Sequence, residues 1–132
     1  MAIETVSLRL QSGTMNGDDL AAVAGRPPDE VTERGSPISS REPSGAKHTV
    51  TTAVFKQPGS WNDVGPYIRG LRPIIDALSA GRRRGDVHAD VVVAFIARPM
   101  GYMIDLDDEL VQMLARARCG LVLDAYCLDA EE

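Results

Sequence analysis

The stretch Asp90-Val91-Val92-Val93-Ala94-Phe95-Ile96-Ala97-Arg98-Pro99 contains seven apolar residues in a row. Seven residues are too few for a helix that crosses a membrane, and three consecutive valines disfavour a helix because β-branched side chains are restricted there. The run therefore predicts a buried strand near the centre of a sheet. Since alternate residues of a strand point to opposite faces, we expect the rest of the chain to cover both faces of this strand.

The length and composition are those of one globular domain. The chain has 132 residues, of which 44% are hydrophobic, and a domain of this size can bury a sufficient core without disulfides or a structural metal. We expect residues 1–132 to form a single domain with a loop rich in proline, glycine and serine at 26–47.

Charge and cysteine content argue against several classes of function. The net charge of -5 disfavours nucleic acid and anionic membranes as partners, because both are bound through lysine and arginine. Cys119 and Cys127 form no CxxC pair, so neither a disulfide framework nor a zinc site is predicted. The sequence shows no signal peptide and no apolar segment of membrane-spanning length, which predicts a cytoplasmic protein. We also predict that the protein carries no cofactor and no metal.

Hydrophobic spacing predicts an α+β fold. Alternating patterns predict strands over 5–11, 48–56 and 121–128, with short strands at 31–38 and 102–106. Spacings of three and four predict helices over 20–24, 64–78 and 107–117.

Pro73 should kink the second of these helices or divide it into two, because proline lacks the amide donor of a helix interior. Together the patterns indicate a mainly antiparallel sheet packed by two or three helices, in two loosely similar βα halves whose helices begin at paired aspartates.

No part of the chain carries a recognisable catalytic pattern. The densest acidic group, Asp105 to Glu109, lacks the spacing of a calcium loop and is explained by capping of the following helix. His48 and His88 are distant in sequence and neither adjoins a nucleophile motif. We therefore predict no catalytic residue and no metal ligand.

Four residues are candidates for contacting a partner protein. Asp124 shares a strand face with Tyr126, where it either meets a ligand or makes a structural hydrogen bond or ion pair. Trp61 precedes the long helix, where it either anchors an interface or packs the start of the helix. Arg34 lies in the long loop, which is expected to dock on a partner.

The order of the short motifs along the chain is that of a known bacterial family. These motifs are Gly17-Asp18-Asp19-Leu20, Arg34-Gly35, Gly101-Tyr102, Leu106 to Leu110, and Leu123-Asp124-Ala125-Tyr126. Over nearly its whole length the chain resembles the family called domain of unknown function 4279. It lacks the tryptophans that this family tends to carry after the first helix and in the second strand. The resemblance implies a small cytoplasmic α+β protein without an established activity, and some members are suspected immunity proteins that neutralise toxins.

Two functions follow from these observations. The first is a non-catalytic module that binds another protein, either a basic partner or a toxin, through an acidic surface and the loop at 26–47. The alternative is a small-molecule-binding or hydrolytic domain that uses the sheet face bearing Asp124 and Tyr126. A homodimer formed through an exposed sheet face or edge is compatible with both.

Overall fold

A computed structural model describes residues 2–57, 64–80, 86–97 and 104–127. The strands in this part of the chain are β1 (Ala2–Ser12), β2 (Glu30–Thr32), β3 (Thr51–Gln57), β4 (His88–Ala97) and β5 (Cys119–Cys127). The helices are α1 (Gly17–Ala24), α2 (Gly65–Gly70), α3 (Arg72–Ala80) and α4 (Asp108–Arg116).

The five strands form one sheet in the order β2-β3-β1-β4-β5. Neighbouring strands are antiparallel, except that β4 and β5 are parallel. The predicted α+β class with a mainly antiparallel sheet is therefore confirmed. The apolar run forms β4, which lies beside the middle strand β1 and is paired on both sides.

The hydrophobic core lies on one face of the sheet. The buried apolar residues of the strands all belong to this face, and they are Val6, Leu8, Leu10, Ala53, Phe55, Ala89, Val91, Val93 and Phe95. They form a single cluster with apolar side chains of all four helices, including Leu20, Ile68, Ile75 and Leu110. The helices therefore pack together on this face as one layer.

The opposite face of the sheet is not covered by any helix of the described part. On β4 this face carries Val92, Ala94 and Ile96, which are partly exposed, whereas Val91, Val93 and Phe95 are buried. The expectation that both faces of β4 would be covered is therefore wrong for the described residues. A continuous apolar run is typical of a strand buried on both faces, and here it extends onto a face that no described element covers.

The parallel pairing of β4 with β5 explains a second error. A strand was predicted over 102–106, but residues 104–107 form no strand, and 102 and 103 lie outside the described residues. Parallel neighbours need a crossover connection rather than a hairpin, so this segment leads into α4. Ile104 and Leu106 instead pack against the core from the side.

The predicted division at Pro73 is confirmed. α2 ends at Gly70 and α3 begins at Arg72, so that Pro73 is the second residue of the second helix, where its missing amide donor is not needed. Helix α4 is capped at its start by Asp107, whose side chain accepts a hydrogen bond from the backbone N–H of Leu110 at 2.9 Å.

The loop at 26–47 has more structure than its composition indicates. It contains the edge strand β2, which is shorter than the predicted strand over 31–38. Beyond β2 the chain folds back on itself, with a bridge between Pro37 and Lys47 and a hydrogen bond from the Ile38 N–H to the Ala46 carbonyl at 3.0 Å. The following strand begins at Thr51 rather than at the predicted residue 48.

Asp86 ties the start of β4 to the end of β1. Its carboxylate accepts hydrogen bonds from the Thr14 hydroxyl and, at 2.7 Å, from the Ser12 hydroxyl. The bond from Thr14, followed by the bond from Ser12, lowers the pKa of Asp86 below its usual value. Both bonds favour the ionised carboxylate, so protonation should weaken this connection.

The first prediction concerns acid stability. Because the pKa of Asp86 is lowered by folding, its contribution to stability is present above the pKa of the unfolded chain and is lost as the pH falls through the pKa of the folded state. We expect Asp86→Asn to be less stable than the wild type at pH 7, and the difference to disappear in acid. Urea denaturation at stepped pH values measures this. A difference that stays constant down to the lowest pH would contradict the assignment.

Candidate functional site

The candidate site is the uncovered face of the sheet, which we call the open face. It is made of outward residues of all five strands: Glu30 and Thr32; Thr52, Val54 and Lys56; Thr5, Ser7, Arg9 and Gln11; His88, Asp90, Val92, Ala94 and Ile96; and Val122 and Asp124. Cross-strand register divides it into a polar part around Asp90 and an apolar part along β4 and β5.

The polar part is centred on a buried carboxylate. The Asp90 side chain is only 9% exposed, although no described helix lies over it. Its Oδ2 accepts a hydrogen bond from Arg9 Nη2 at 3.1 Å, and His88 Nε2 lies 3.1 Å from the same oxygen. The guanidinium and the imidazole therefore cover the carboxylate from β1 and from its own strand.

Gly120 on β5 makes room for this carboxylate. It pairs with Asp90 across the parallel β4–β5 ladder, and a Cβ at Gly120 would overlap Asp90 Oδ1. The glycine is therefore required by close approach of a neighbouring side chain, since its backbone does not adopt a positive φ. A larger residue would displace the carboxylate from its two partners.

The chemistry of the polar part is limited by what surrounds His88. Within the described residues, His88 contacts Asp90 through its Nε2 but has no hydroxyl or thiol partner. Across the strands, Gln11 lies opposite His88 and donates to Thr52 Oγ1 at 3.3 Å. Arg9 Nε is buried and has no hydrogen-bond partner among the described residues. The cluster can hold and orient charge, but it contains no activated nucleophile.

The apolar part lies further along β4 and β5. Val92, Ala94 and Ile96 alternate along β4, and Val122 lies beside Val92 on β5. All four side chains are partly exposed. Asp124 borders this part, opposite Ala94. The result is an aliphatic patch fixed on a rigid sheet, with a carboxylate at its margin.

The two edges of the sheet differ strongly. β2 has only three residues, follows Pro27 and Pro28, and carries an ion pair between Glu30 and Lys56 at 2.5 Å. Short length, proline and charge are the usual protection of a sheet edge.

β5, by contrast, has nine residues, contains neither proline, lysine nor arginine, and carries a single charge at Asp124. Leu121 and Leu123 are 37% and 47% exposed. Among the described residues, no strand pairs with the side of β5 that faces away from β4. We call this side, with Leu121, Leu123 and Ala125, the β5 edge.

The structure describes the side chains of two of the sequence-predicted site residues, Arg34 and Asp124, and places them far apart. Arg34 is exposed and donates to the Gly13 carbonyl, beyond the end of β1, whereas Asp124 is level with Thr5 near the other end of that strand. Eight residues of strand separate these levels, which is about 26 Å. Tyr126 is described only by its backbone register, opposite Ile96, and Trp61 lies outside the described residues.

Sequence reasoning missed the pair of Arg9 and Asp90. Alternation assigned Arg9 to the polar face of β1, but its partner is 81 residues away and depends on the register between β1 and β4. The exposure of Leu121 and Leu123 was missed for a similar reason. Alternation placed both on one face of a strand, and only the sheet order shows that β5 is an edge strand.

The rest of the described chain offers weaker candidates for a site. No group of three or more His, Cys, Asp or Glu residues converges there as a metal site, and no helix there is long and apolar enough to span a membrane. A small groove between α3 and α4 is lined by Arg72, Asp76 and Glu109, and Arg72 already forms ion pairs with both carboxylates. The open face and the β5 edge are therefore the strongest candidates.

Comparison with known proteins found no relatives: no family model, no curated protein and no solved structure matches this chain. The resemblance to the domain of unknown function 4279 family therefore stays a prediction. The fold and the site define an α+β protein in which the described residues leave one sheet face uncovered and one sheet edge unprotected, and its function has to be argued from these two surfaces.

Proposed function

We propose that this chain is a non-catalytic module that binds another protein on the apolar part of its open face. The observation that carries the proposal is the cluster of Val92, Ala94, Ile96 and Val122 on a face that no described helix covers. Contiguous exposed apolar patches on folded proteins usually mark interaction sites. Because these side chains are held by two paired strands, little conformational entropy is lost when a partner covers them.

Charge indicates the kind of partner. The open face carries three carboxylates, at Glu30, Asp90 and Asp124, against two permanent cations, at Arg9 and Lys56, and the whole chain has a net charge of -5. A partner that presents an apolar patch surrounded by lysine and arginine would be attracted to this surface and oriented on it. The proposed mechanism is steric and electrostatic, without chemistry.

A finer form of the proposal takes the partner to be a toxin. In that form the chain is a cytoplasmic immunity protein that covers the toxin surface. The net charge of -5 supports it, since a basic toxin would be attracted by the same complementarity.

The second prediction tests the docking surface. We expect Val122→Lys to weaken partner binding at least tenfold, because it replaces an apolar contact by a cation that faces a basic rim. The matched control is Ile38→Lys, the same kind of change at a side chain that is 60% exposed on the loop at the other edge. The partner is captured from lysate of the native source, purified, and titrated by calorimetry against the wild type and both variants.

The outcomes separate three interpretations. Loss of binding in Val122→Lys alone supports the open face. Loss in Ile38→Lys alone would move the interface to the loop at 26–47. If neither variant affects binding, or no basic protein is captured, the proposal is wrong.

A second candidate function is a small-molecule-binding or hydrolytic domain on the same face, which bears Asp124. The observation that favours it is the buried Asp90 carboxylate that holds the exposed His88 at 3.1 Å, an arrangement that can orient an imidazole towards a ligand. Failure to capture a protein partner, together with a ligand-induced rise in melting temperature that His88→Gln abolishes, would favour this alternative.

A further inference from the structure

The β5 edge has the features of a strand that pairs with another strand. It presents a row of backbone donors and acceptors along nine residues without proline, lysine or arginine, while the β2 edge is short and charged. An edge with this composition is a template for pairing with another strand. Such pairing needs an extended partner segment of similar length and apolar character.

The helix layer adds an apolar flank to this edge. Glu109, Gln112 and Arg116 of α4 line the groove towards α3. At 100° per residue, Val111 lies about 130° from the mean direction of these three side chains, on the flank of α4 that points away from α3, and α4 packs against β5. Val111 is 51% exposed, so three of the exposed large apolar side chains in the described chain, Val111, Leu121 and Leu123, lie along the same margin of the molecule.

The sequence of β5 is complementary to itself in the antiparallel direction. Cys119–Cys127 has Leu123 at its middle, so two copies aligned about Leu123 pair all nine residues. In that register Leu121 lies opposite Ala125, Asp124 lies opposite Val122, and Cys119 lies opposite Cys127. Residues that lie opposite each other then point to the same face of the sheet. The two copies therefore form a continuous ten-stranded sheet with both helix layers on one side.

Charge favours the register centred on Leu123 over the register centred on the next residue, Asp124. Centring the pair on Asp124 would place two carboxylates directly opposite each other, which is destabilising. Centring it on Leu123 places each carboxylate opposite a valine, and no like charges of β5 are directly opposed.

The area is sufficient for a weak interface. Nine residues of strand extend about 30 Å, and the sheet with its helix layer is about 15–20 Å high. Two such margins bury about 1,000 Å² in total, which is near the lower limit for specific interfaces. We expect a dissociation constant in the micromolar range.

From these observations we infer that a second copy of this chain occupies the β5 edge, in an antiparallel pair centred on Leu123. The dimer goes beyond the proposed function and does not depend on it. It leaves the open face of each copy uncovered and joins the two apolar parts across the symmetry axis, because Val122 of each copy lies next to Asp124 of the other.

The third prediction is the mass in solution. Sedimentation equilibrium of the full chain at about 100 μM should give twice the chain mass of 14.2 kDa and fall towards the monomer on dilution. Leu123→Lys should give only monomer at every concentration, because the two lysines would lie opposite each other at the axis. Its matched control, Ile38→Lys, adds the same charge at the distant loop and should remain dimeric. Circular dichroism verifies that both variants are folded.

The register is tested with the native cysteines. Cys119→Ser and Cys127→Ser chains are oxidised with diamide, separately and as a mixture. Since Cys119 should lie opposite Cys127 of the second copy, only the mixture is expected to form a covalent dimer on a non-reducing gel. Crosslinking of either variant alone would overturn the register. A wild-type chain that is monomeric at every concentration would overturn the dimer.

These results are distinct from those of the partner titration. Val122→Lys should keep the dimer, because its lysine would face Asp124 of the second copy, while it loses the protein partner. Leu123→Lys should lose the dimer. If Leu123→Lys abolishes partner binding and the wild type sediments as a monomer, the β5 edge binds the foreign protein and the dimer is rejected.

Discussion

Truncation of Phe95 to alanine is expected to lower the free energy of unfolding by about 3–5 kcal/mol. Phe95 lies on the helix-covered face of β4, is fully buried, and pairs with Ile3 on one side and Ala125 on the other. Removing the ring takes away its transfer free energy and leaves a cavity that paired strands cannot collapse to fill. Since domains of this size are stable by about 5–15 kcal/mol, this is a large fraction of the total.

The adjacent residue provides the control. Ile96 is on the same strand but on the open face, and it is partly exposed. We expect Ile96→Ala to cost about 1 kcal/mol, since its side chain is already partly in contact with water. Guanidinium denaturation of both variants measures the two losses of unfolding free energy, provided that the dependence of this free energy on denaturant concentration is the same for both. Equal losses would mean that the open face is covered in the folded protein and would remove the basis of the docking proposal.

The contrast between these neighbours explains what the sequence could predict about β4. Its apolar run identified the strand, because periodicity and β-branching are local properties. The run did not distinguish the covered face from the open one, since Val92, Ala94 and Ile96 are as apolar as the residues that alternate with them. Which face receives the helices is decided by their packing, which is a property of the whole fold.

Local signals likewise predicted that Pro73 would interrupt the long helix and that the acidic group before α4 would cap it, since both depend on residues within one turn. The segment before α4 was assigned to a strand because nothing in it indicates a parallel crossover. Strand direction and order depend on contacts between distant parts of the chain. The same limit applies to the candidate site, because Arg9, Asp90 and Gly120 come from three strands and meet only when their registers are fixed.

The open face and the β5 edge are consequences of one arrangement. Within the described ranges, a single helix layer covers one side of five strands, and the parallel crossover places a long apolar strand last in the sheet. If that strand pairs with a second copy, the apolar parts of two open faces become one surface with twofold symmetry. A partner docked there would then be bound by two chains, and its affinity would depend on the concentration of this protein as well as on its own.

Replacing Gly120 by alanine is expected to destabilise the protein by about 2–3 kcal/mol, although alanine usually favours a strand over glycine. The added Cβ would overlap Asp90 Oδ1 and displace a nine-tenths buried carboxylate from Arg9 and His88. A buried charge deprived of its partners is strongly unfavourable. Urea denaturation at pH 7 measures the loss.

Two comparisons test whether displacement of the Asp90 carboxylate causes this loss of stability. Gly13→Ala is the matched control, since a Cβ at Gly13 meets no atom within 4 Å, and we expect it to be neutral or slightly stabilising. In the background of Asp90→Ala the Gly120→Ala change should lose most of its effect, because the carboxylate it displaces is gone. A coupling energy of about 2 kcal/mol between the two sites is the expected result of this double-mutant cycle. Additive losses would instead show that Gly120 is needed for its backbone, and that the carboxylate cluster does not depend on it.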